Sequence, residues 1–262
     1  MKIGFVGLGN MAGAMIGGLI KNGIHASDII GFDVSEEVCS KRKKEFGITI
    51  APDNDSLVKV CGQIVLAVKP QFLEAALKEV SEFSQDQVII SIVAGKTLDY
   101  LSGVIKGSKK IIRCMPNTAA LIGAATTGVS PRKDVTNEEL ESAISIIESF
   151  GKAIVIPEKL MDTVTGVSGS SPAFVFMFIE AMADAAVLEG MPRAMAYEFA
   201  AGAVYGSAKL MMETGKHPGE LKDMVTSPAG TTIMGVKALE DSAFRSAVMD
   251  AVIAATERSK EL

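Results

Sequence analysis

The sequence predicts an α/β protein in which a doubly wound parallel sheet is followed by an all-helical domain. Three observations support this fold class. The first part of the chain alternates short β-branched runs with amphipathic stretches, most of these runs are apolar throughout, and no strand-like run appears after Pro157. Strands that are apolar on both faces are typical of a parallel sheet that helices cover on both sides. Strands that alternate with helical patterns indicate βαβ units.

The predicted strands all lie before residue 157. They are expected at residues 2–6, 28–33, 63–68, 87–93, 109–115, 125–130 and 153–156. Helices are predicted between them at residues 10–21, 35–46, 70–83 and 137–150. Later helices are predicted at residues 172–189, 193–215 and 243–262. The domain limits that follow from this division are 1–160 and 161–262.

The first helix of the second domain is apolar on nearly all sides, including the whole run from Phe174 to Ile179. A helix with this composition has to be buried all round. About 100 residues form only a thin shell around such a helix. We therefore expect a second subunit to cover it.

Composition excludes several classes of partner. The net charge of −5 argues against nucleic acid and an anionic membrane surface. The three cysteines and two histidines show neither zinc spacing nor a disulfide framework, so we expect no metal site and a reducing, cytoplasmic location. No stretch approaches the length of an apolar segment that spans a bilayer, which is about 18 to 20 residues. We therefore expect no membrane contact.

A glycine-rich turn joins the first predicted strand to the first predicted helix. It consists of Gly7, Leu8, Gly9, Asn10, Met11 and Ala12. In a dinucleotide-binding turn, Gly7 allows the tight bend, Gly9 lets the backbone approach a pyrophosphate, and Ala12 permits close packing of helix on strand. The helix N-terminus then favours the anion. Because a strand precedes the turn and Asp33 ends the next strand, the pattern indicates a Rossmann-like domain that binds a nicotinamide dinucleotide; the alternative is a plain structural turn.

Asp33 bears on which nicotinamide cofactor is used. A carboxylate here can accept hydrogen bonds from both ribose hydroxyls of NADH, and it would repel the 2′-phosphate of NADPH. A basic run at residues 41–44 follows on the next helix and could serve a phosphate, although a solvated helix face is the simpler interpretation. We expect good use of NADH, with NADPH left open.

Further cofactor contacts are expected where other strands end. Ala67, Val68, Lys69 and Pro70 end one strand, Val93 and Ala94 end the next, and residues 113–118 end a third. Ligands of open α/β sheets bind outside the carboxyl ends of the strands. The alternative is that these strand ends serve stability alone.

Two segments of small residues lie in the helical part, at 166–172 and 227–232, and both are predicted as loops that lead into helices. Their backbone N–H groups could hold an anion, but the segments carry no side-chain acid, base or metal ligand. Hydride transfer to a carbonyl usually needs a proton donor such as His or Lys. A protonated imine carries its own positive charge and needs none, which favours an imine substrate.

The chain resembles the pyrroline-5-carboxylate reductase family over essentially its whole length. The resemblance rests on residues 7–12, 67–70, 113–118, 165–170, 217–223 and 227–233. The segment SPAGTTI at 227–233, followed by Leu239 and Glu240, is the most specific of these. The resemblance implies NADPH- or NADH-dependent reduction of 1-pyrroline-5-carboxylate to L-proline, the last step of proline biosynthesis, by direct hydride transfer to a protonated cyclic imine.

The resemblance also implies roles for individual residues. The substrate carboxylate would rest on the loop from Ser227 to Thr232, with Ser227 donating its hydroxyl, Gly230 and the N–H groups of Thr231 and Thr232 completing the cradle, and the Thr232 hydroxyl contacting the ring nitrogen. Ser227 and Thr232 are the expected catalytic residues. The residues expected to bind the cofactor are Gly7, Leu8, Gly9, Asn10, Met11, Ala12, Asp33, Asn54, Ala67, Val68, Lys69, Pro70, Val93 and Ala94.

The same resemblance implies a homodimer or a larger homo-oligomer that forms through the helical domain, with a small-molecule substrate as the only other partner. The chain departs from the family pattern at Ala119, Ser171 and Ala229, where proline, glycine and glycine are usual. These departures leave loop details and substrate tolerance open.

The competing interpretations are a 3-hydroxyacid dehydrogenase or imine reductase with the same N-terminal half, and a dinucleotide-sensing regulator without turnover. The hydroxyacid dehydrogenases carry a catalytic lysine on the helix after the glycine-serine segment, but residues 172–189 contain no lysine. A regulator would need no anion cradle in the second domain, whereas the segment at 227–232 has the pattern of one.

Overall fold

An eight-stranded sheet lies within residues 2–261, the part of the chain that the computed structural model describes. The strands are β1 Ile3–Val6, β2 Ile29–Phe32, β3 Thr49–Ile50, β4 Gln63–Leu66, β5 Val88–Ser91, β6 Ile111–Met115, β7 Ala125–Pro131 and β8 Gly151–Val155. Their order is β3-β2-β1-β4-β5-β6-β7-β8. Neighbouring strands from β3 to β6 are parallel, and so are β7 and β8. The predicted α/β class with a doubly wound sheet is confirmed.

One pair of neighbours departs from the parallel arrangement. β7 runs antiparallel to β6, with Cys114 opposite Val129. A parallel connection needs a crossover of about a dozen residues or more. The connection at 116–124 is shorter and contains only the 3₁₀ turn Thr118–Ile122, so the chain reverses direction there.

Helices cover both faces of the sheet and make up the rest of the chain. Those associated with the sheet are α1 Asn10–Lys21, α2 Glu36–Phe46, α3 Asn54–Val60, α4 Leu73–Lys78, α5 Leu98–Val104, α6 Asn137–Glu148 and α7 Met161–Val164. The later helices are α8 Ser171–Leu188, α9 Arg193–Thr214, α10 Pro218–Met224, α11 Thr231–Asp241 and α12 Phe244–Lys260. The helix predicted at 70–83 is shorter than expected: a 3₁₀ turn occupies Pro70–Phe72, and α4 ends at Lys78.

Side-chain caps fix where several helices begin. Ser35, Asp53 and Thr97 each accept a hydrogen bond from the N–H three residues further on, at 3.3, 2.7 and 3.1 Å. Before α6, Thr136 and Glu139 form a reciprocal capping box. A cap satisfies an N–H group that has no partner within the helix. These bonds help the short helices α3 and α5 to form, and neither was predicted from the sequence.

Two apolar clusters fill the two faces of the sheet. Phe5 belongs to the cluster under α1 and α6, together with Met15 and Ile147, and all three are fully buried. Val6, the next residue, belongs to the cluster with Leu57 and other side chains of α3 to α5. Because successive side chains of a strand point to opposite faces, a strand covered on both sides has to be apolar throughout.

The chain divides into two units by its internal contacts. The first contains the sheet and comprises the chain up to Ser170 together with the segment from Ala254 onwards, while the second comprises Ser171–Ile253. The limits 1–160 and 161–262 stay a prediction. In the second unit the buried cluster is formed by Ala183, Ala196 and Ala200 of α8 and α9.

A buried arginine ties the end of the sequence to the sheet within the first unit. Arg113 of β6 is 4% exposed and pairs with Glu158 at 3.1 Å and with Asp162 at 3.8 Å. The Ser259 hydroxyl donates to the same Asp162 carboxylate at 2.8 Å. The N–H of Leu98 donates to Glu158 at 2.6 Å. Arg113 therefore has a structural role: with its partners it joins four separate segments of the chain.

The segment at 166–172 is not a loop, so that expectation was wrong. Thr165–Ser170 forms a π-helical turn that leads directly into α8. Gly169 lies against Met115, since a Cβ there would come 2.8 Å from Met115 Cε. The Ser168 hydroxyl donates to the Thr126 carbonyl at 3.0 Å. Contacts of this kind override the low helix propensity of glycine and serine. Turns of π-helix occur mostly inside α-helices and are frequent at functional sites.

As a result, one helical stretch, Glu158–Leu188, is long and apolar enough to cross a membrane by length and composition alone. The expectation that no stretch would approach that length was wrong, because α8 by itself has 18 residues, most of them apolar. Only 6% of the most apolar 18-residue segment of this stretch is buried within this chain. Phe176 and Met177 of α8 are 65% and 68% exposed. The predicted need for a cover over this helix is therefore evident in the structure.

A buried amide joins the end of α3 to the start of β5. The Gln87 side chain is 6% exposed; its amide donates to the carbonyls of Val58 and Cys61 at 2.5 and 2.7 Å and accepts from the Ser84 N–H at 2.7 Å. All three backbone groups lose their partner if the amide is removed.

We predict that Gln87→Leu lowers the free energy of unfolding by about 1 to 3 kcal/mol, because buried polar groups are left unpaired. Urea denaturation followed by circular dichroism measures it. Gln85→Leu, at an exposed position two residues earlier, is the matched control and should leave the stability within about 0.5 kcal/mol. Equal stability of the two variants would show that the amide bonds contribute nothing.

Candidate active site

The glycine-rich turn has the backbone shape that the sequence predicted. Gly7 has a φ of 92°, which is the left-handed region, and a Cβ there would lie 2.8 Å from the Ala67 carbonyl oxygen. A side chain at residue 7 is therefore excluded twice, by backbone conformation and by space. At Gly9 the reverse holds, because no neighbouring atom lies within 4 Å of the position that a Cβ would take, and the turn is open there.

Helix α1 begins directly behind this opening. Its N-cap is Gly9, which makes no side-chain capping bond. The first N–H groups of a helix have no partner within it, and with the helix dipole they favour an anion. The turn therefore offers N–H donors that could hold an anion, with free space in front of them.

Two cavities lie beside the turn at the carboxyl ends of the parallel strands. The first has a volume of about 290 Å³, and its lining includes Gly7, Asp33 and Asn54. The second has a volume of about 340 Å³, and its lining includes Asn10 and Ala94. The two cavities share Gly9, Ala67, Val68 and Lys69. One extended ligand could thus occupy both cavities by passing over Gly9.

The structure brings most of the expected cofactor residues to these cavities. Those that line one or both are Gly7, Gly9, Asn10, Met11, Asp33, Asn54, Ala67, Val68, Lys69 and Ala94. Leu8, Ala12 and Val93 are instead buried in the core, at 0%, 1% and 2% exposure. Pro70 starts the 3₁₀ turn that follows Lys69.

Sequence reasoning missed several lining residues. They are Val6, Phe32, Val34, Phe72, Ala75, Ala76 and Glu79 in the first cavity, and Ile92 in the second; Met115 and Pro116 belonged to a strand end that was expected there. Phe72, Ala76 and Glu79 recur every three to four residues on the predicted helix after Pro70. That spacing places all three residues on one face of the helix, and it could have identified them as lining residues from the sequence.

Asp33 supports the turn as well as lining the first cavity. One carboxylate oxygen accepts from the Leu8 N–H at 2.9 Å, and the other accepts from the Ser35 N–H at 3.0 Å. A carboxylate has about four lone-pair positions, so each oxygen retains the capacity to accept a further bond.

Asn54 is buried, at 2% exposure, and one of its hydrogen-bond acceptors is unsatisfied. Its amide nitrogen donates to Glu79 at 2.7 Å, while its Oδ1 has no partner among the described residues. A buried polar atom without a partner costs free energy unless a ligand or water satisfies it. Because Asn54 and Glu79 both line the first cavity, a ligand there can meet this atom.

The basic run at 41–44 is only partly a solvated face. Lys41, Lys43 and Lys44 are exposed, as expected, but Arg42 is 8% exposed. Its guanidinium donates to the carbonyls of Leu8 and Gly9. The interpretation of the whole run as a solvated face was therefore wrong at this one position.

In the second unit, the loop from Ser227 to Gly230 leads into α11. The Gly230 N–H donates to the Ser227 carbonyl at 3.1 Å, and Gly230 is the N-cap without a side-chain capping bond. Ser227, Thr231 and Thr232 are exposed in the single chain. The loop and the first turn of α11 thus offer three hydroxyl-bearing side chains and free N–H groups at one helix N-terminus.

Ala229 has a φ of 56°, although alanine disfavours the left-handed region. This costs about 1 to 2 kcal/mol relative to ordinary backbone. The departure from the expected glycine therefore leaves the loop shape intact at an energetic cost.

His217 and the buried cysteines Cys61 and Cys114 lie in environments typical of structural residues. His217 caps α10 by accepting from the Gly219 N–H at 3.1 Å. Burial raises the pKa of the Cys114 thiol to about 12 and that of Cys61 to about 11. Among residues 2–261, no group of three or more His, Cys, Asp or Glu side chains could hold a metal ion.

Comparisons with known proteins give consistent results for both parts of the chain. Residues 158–262 match the family model described as pyrroline-5-carboxylate reductase dimerisation. Residues 2–95 match the model described as NADP oxidoreductase, coenzyme F420-dependent.

Full-length relatives agree with these models. A pyrroline-5-carboxylate reductase from Methanosarcina acetivorans is 48% identical, with 100% of this chain and 97% of the relative covered. One from Escherichia coli is 49% identical, with 100% and 98% covered. The crystal structure of Plasmodium falciparum pyrroline carboxylate reductase with NADP bound has a TM-score of 0.90 at 31% identity, and the match covers 100% of this chain and 97% of that one.

We predict that Cys61 and Cys114 resist alkylation by iodoacetamide at pH 8 in the native protein. The thiolate is the reacting species, and both burial and the raised pKa keep the thiolate fraction very low. Peptide mass spectrometry measures the modification, and the unfolded protein, in which both cysteines should react, is the control. Rapid native labelling of Cys114 with loss of activity would instead make it an accessible part of the site.

Proposed function

The chain belongs to the pyrroline-5-carboxylate reductase family, and on that premise we propose which of its residues bind the cofactor and the substrate. The reaction is the NAD(P)H-dependent reduction of 1-pyrroline-5-carboxylate to L-proline, the last step of proline biosynthesis. Hydride passes directly to the carbon of a protonated cyclic C=N bond. The observation that carries the residue assignment is the open glycine-rich turn between two cavities.

The dinucleotide site is proposed at this turn. The N–H groups at the start of α1 would hold the pyrophosphate, and the space in front of Gly9 admits it. The first cavity would take the adenosine part, with Asp33 near the ribose and Asn54 Oδ1 satisfied by a donor of the ligand. The second cavity, lined by Asn10, Met11 and Ala94, would take the nicotinamide end. When bound there, the reduced cofactor supplies the hydride.

The substrate carboxylate is proposed to bind at the loop before α11. The free N–H groups of Thr231 and Thr232, with the Ser227 hydroxyl, provide donors for an anion. The Thr232 hydroxyl would hold the ring nitrogen. Neither loop residue is a strong acid, so the chain's contribution is to orient the reacting atoms, an effect worth about 7 to 11 kcal/mol in favourable cases.

Homodimer formation, or a larger homo-oligomer, is proposed through the helical part of the chain. The support is the match of residues 158–262 to a dimerisation model together with the exposed apolar side chains of α8. A partner subunit in this position would also explain the apolar stretch Glu158–Leu188 without a membrane. We further propose that the enzyme acts in the cytoplasm, with no nucleic-acid partner, in keeping with its net charge of −5.

We predict that Thr232→Ala lowers kcat by about tenfold to a thousandfold, because about 1.4 to 4 kcal/mol of transition-state stabilisation is lost. Thr232→Ser should retain most of the activity since it keeps the hydroxyl. Thr231→Ala is the matched control, because only the backbone of Thr231 is assigned a role. Steady-state kinetics with 1-pyrroline-5-carboxylate decides it, and wild-type kcat in Thr232→Ala would remove the hydroxyl from the mechanism.

Ser227→Ala should act mainly on KM. The carboxylate carries the same charge before and after hydride transfer, so a contact to it stabilises ground state and transition state alike. Cofactor affinity, measured separately by fluorescence titration, should be unchanged in the loop variants. A fall in kcat at unchanged KM would contradict the anchoring role.

We propose that Asp33 favours NADH, and predict that Asp33→Ser shifts the ratio of kcat/KM for NADH over NADPH by about ten- to a hundredfold toward NADPH. Both affinities should also fall, because the Leu8 N–H loses its acceptor. Glu36→Gln removes a nearby exposed charge and serves as the control. An unchanged ratio would mean that Asp33 supports the turn and does not distinguish the two cofactors.

A further inference from the structure

We infer that Arg42 is a positioning residue for the cofactor site, which holds the glycine-rich turn from behind and thereby aims its N–H groups at the dinucleotide pyrophosphate. The inference rests on the proposed function, because it assumes that the pyrophosphate binds at this turn. It assigns a role to a residue of α2 that the sequence pattern placed on a solvated helix face.

All three guanidinium nitrogens of Arg42 are engaged. Nε donates to the Leu8 carbonyl and Nη2 to the Gly9 carbonyl, each at 3.0 Å. Nη1 donates to the Glu45 carboxylate at 2.7 Å. The guanidinium carbon lies 5.8 Å from the centre of the Phe46 ring. With its side chain only 9% exposed, Arg42 is fixed in one orientation.

These bonds set the direction of the N–H groups on the other side of the turn. In a trans peptide the C=O and the following N–H point in opposite directions, and no cis peptide occurs in the described part of the chain. Holding the carbonyls of Leu8 and Gly9 therefore directs the N–H groups of Gly9 and Asn10 away from Arg42. Gly9 lines both cavities and Asn10 lines the second.

Gly13 provides an independent observation of the same contact. A Cβ at residue 13 would lie 2.5 Å from Nη2 and 2.6 Å from Nη1 of Arg42. A side chain at this position would displace the guanidinium from the two carbonyls. The guanidinium can reach the turn only because α1 has glycine where it passes.

This role differs from that of a residue that binds the 2′-phosphate of NADPH. A residue that bound the 2′-phosphate would affect NADPH alone. Arg42 acts on the pyrophosphate end of the turn, which NADH and NADPH share, so both should lose affinity by the same factor. Lysine cannot replace it, since an ammonium lacks the planar fork that meets two carbonyls at once.

The test measures dissociation constants of NADH and NADPH by fluorescence titration of the purified full chain. Arg42→Met should raise both constants by about tenfold or more and by equal factors, because two charge-assisted hydrogen bonds are lost. Arg42→Lys should weaken binding nearly as much. Lys43→Met removes the same charge from the exposed neighbouring position and should stay within about twofold of wild type.

Gly13→Ala should perturb the same contact while Arg42 is still present. We expect it to weaken both dinucleotides, and the double variant Arg42→Met with Gly13→Ala to bind no worse than Arg42→Met alone. Hydrogen exchange of the cofactor-free protein adds a readout that needs no ligand. Amides within residues 7–13 should exchange faster in Arg42→Met and at the wild-type rate in Lys43→Met.

Three outcomes would overturn the inference. Wild-type dissociation constants in Arg42→Met, with or without a lower melting temperature, would leave Arg42 only a stabilising role. A loss confined to NADPH would make it a 2′-phosphate ligand. Additive losses in the double variant would separate Gly13 from Arg42. A wild-type protein that bound neither dinucleotide would instead overturn the proposed cofactor site.

Discussion

The backbone of Leu8 is held at both its N–H and its carbonyl, and the conformation of the glycine-rich turn depends on that. Asp33 accepts its N–H and Arg42 donates to its carbonyl, so side chains from the end of β2 and from α2 fix one turn after β1. The turn carries no side chain that could fix its own conformation at Gly7 or Gly9. Its order is therefore supplied by neighbouring elements, and the sheet matters chiefly because it places those elements within reach.

The first domain was largely predictable, because a strand covered on both faces has to be apolar throughout, which leaves little choice of residue. β1, β2 and β4 to β8 were all expected near their observed positions, whereas β3 is only Thr49 and Ile50 and is too short to produce a pattern. The reversal between β6 and β7 was not predicted, since strand direction depends on the connection. In the proposed cofactor site, backbone motifs identified the turn, but they gave no indication of Arg42, whose side chain is buried against Gly13 of another helix.

The helical part was less predictable for a different physical reason. Glycine and serine at 166–172 have weak local preferences, so contacts with Met115 and Thr126 decided their conformation. The buried cluster of α8 and α9 consists of three alanines, which lets the helices approach closely but buries little apolar surface. Ile179, Met182 and Val187 of α8 pack against that cluster and are partly buried, whereas Phe176 and Met177 are exposed. Large exposed apolar side chains of this kind mark an interaction surface, in keeping with the proposed homo-oligomer.

The bond from Ser259 to Asp162 also bears on the order in which the protein is made. Asp162 is paired with Arg113 of β6, so a residue synthesised after the whole of Ser171–Ile253 belongs to the unit that contains the sheet. During vectorial synthesis the sheet can form early, but Asp162 lacks this partner until translation has passed residue 259. The unit that holds the glycine-rich turn is consequently completed last, after the helices that separate its two segments have left the ribosome.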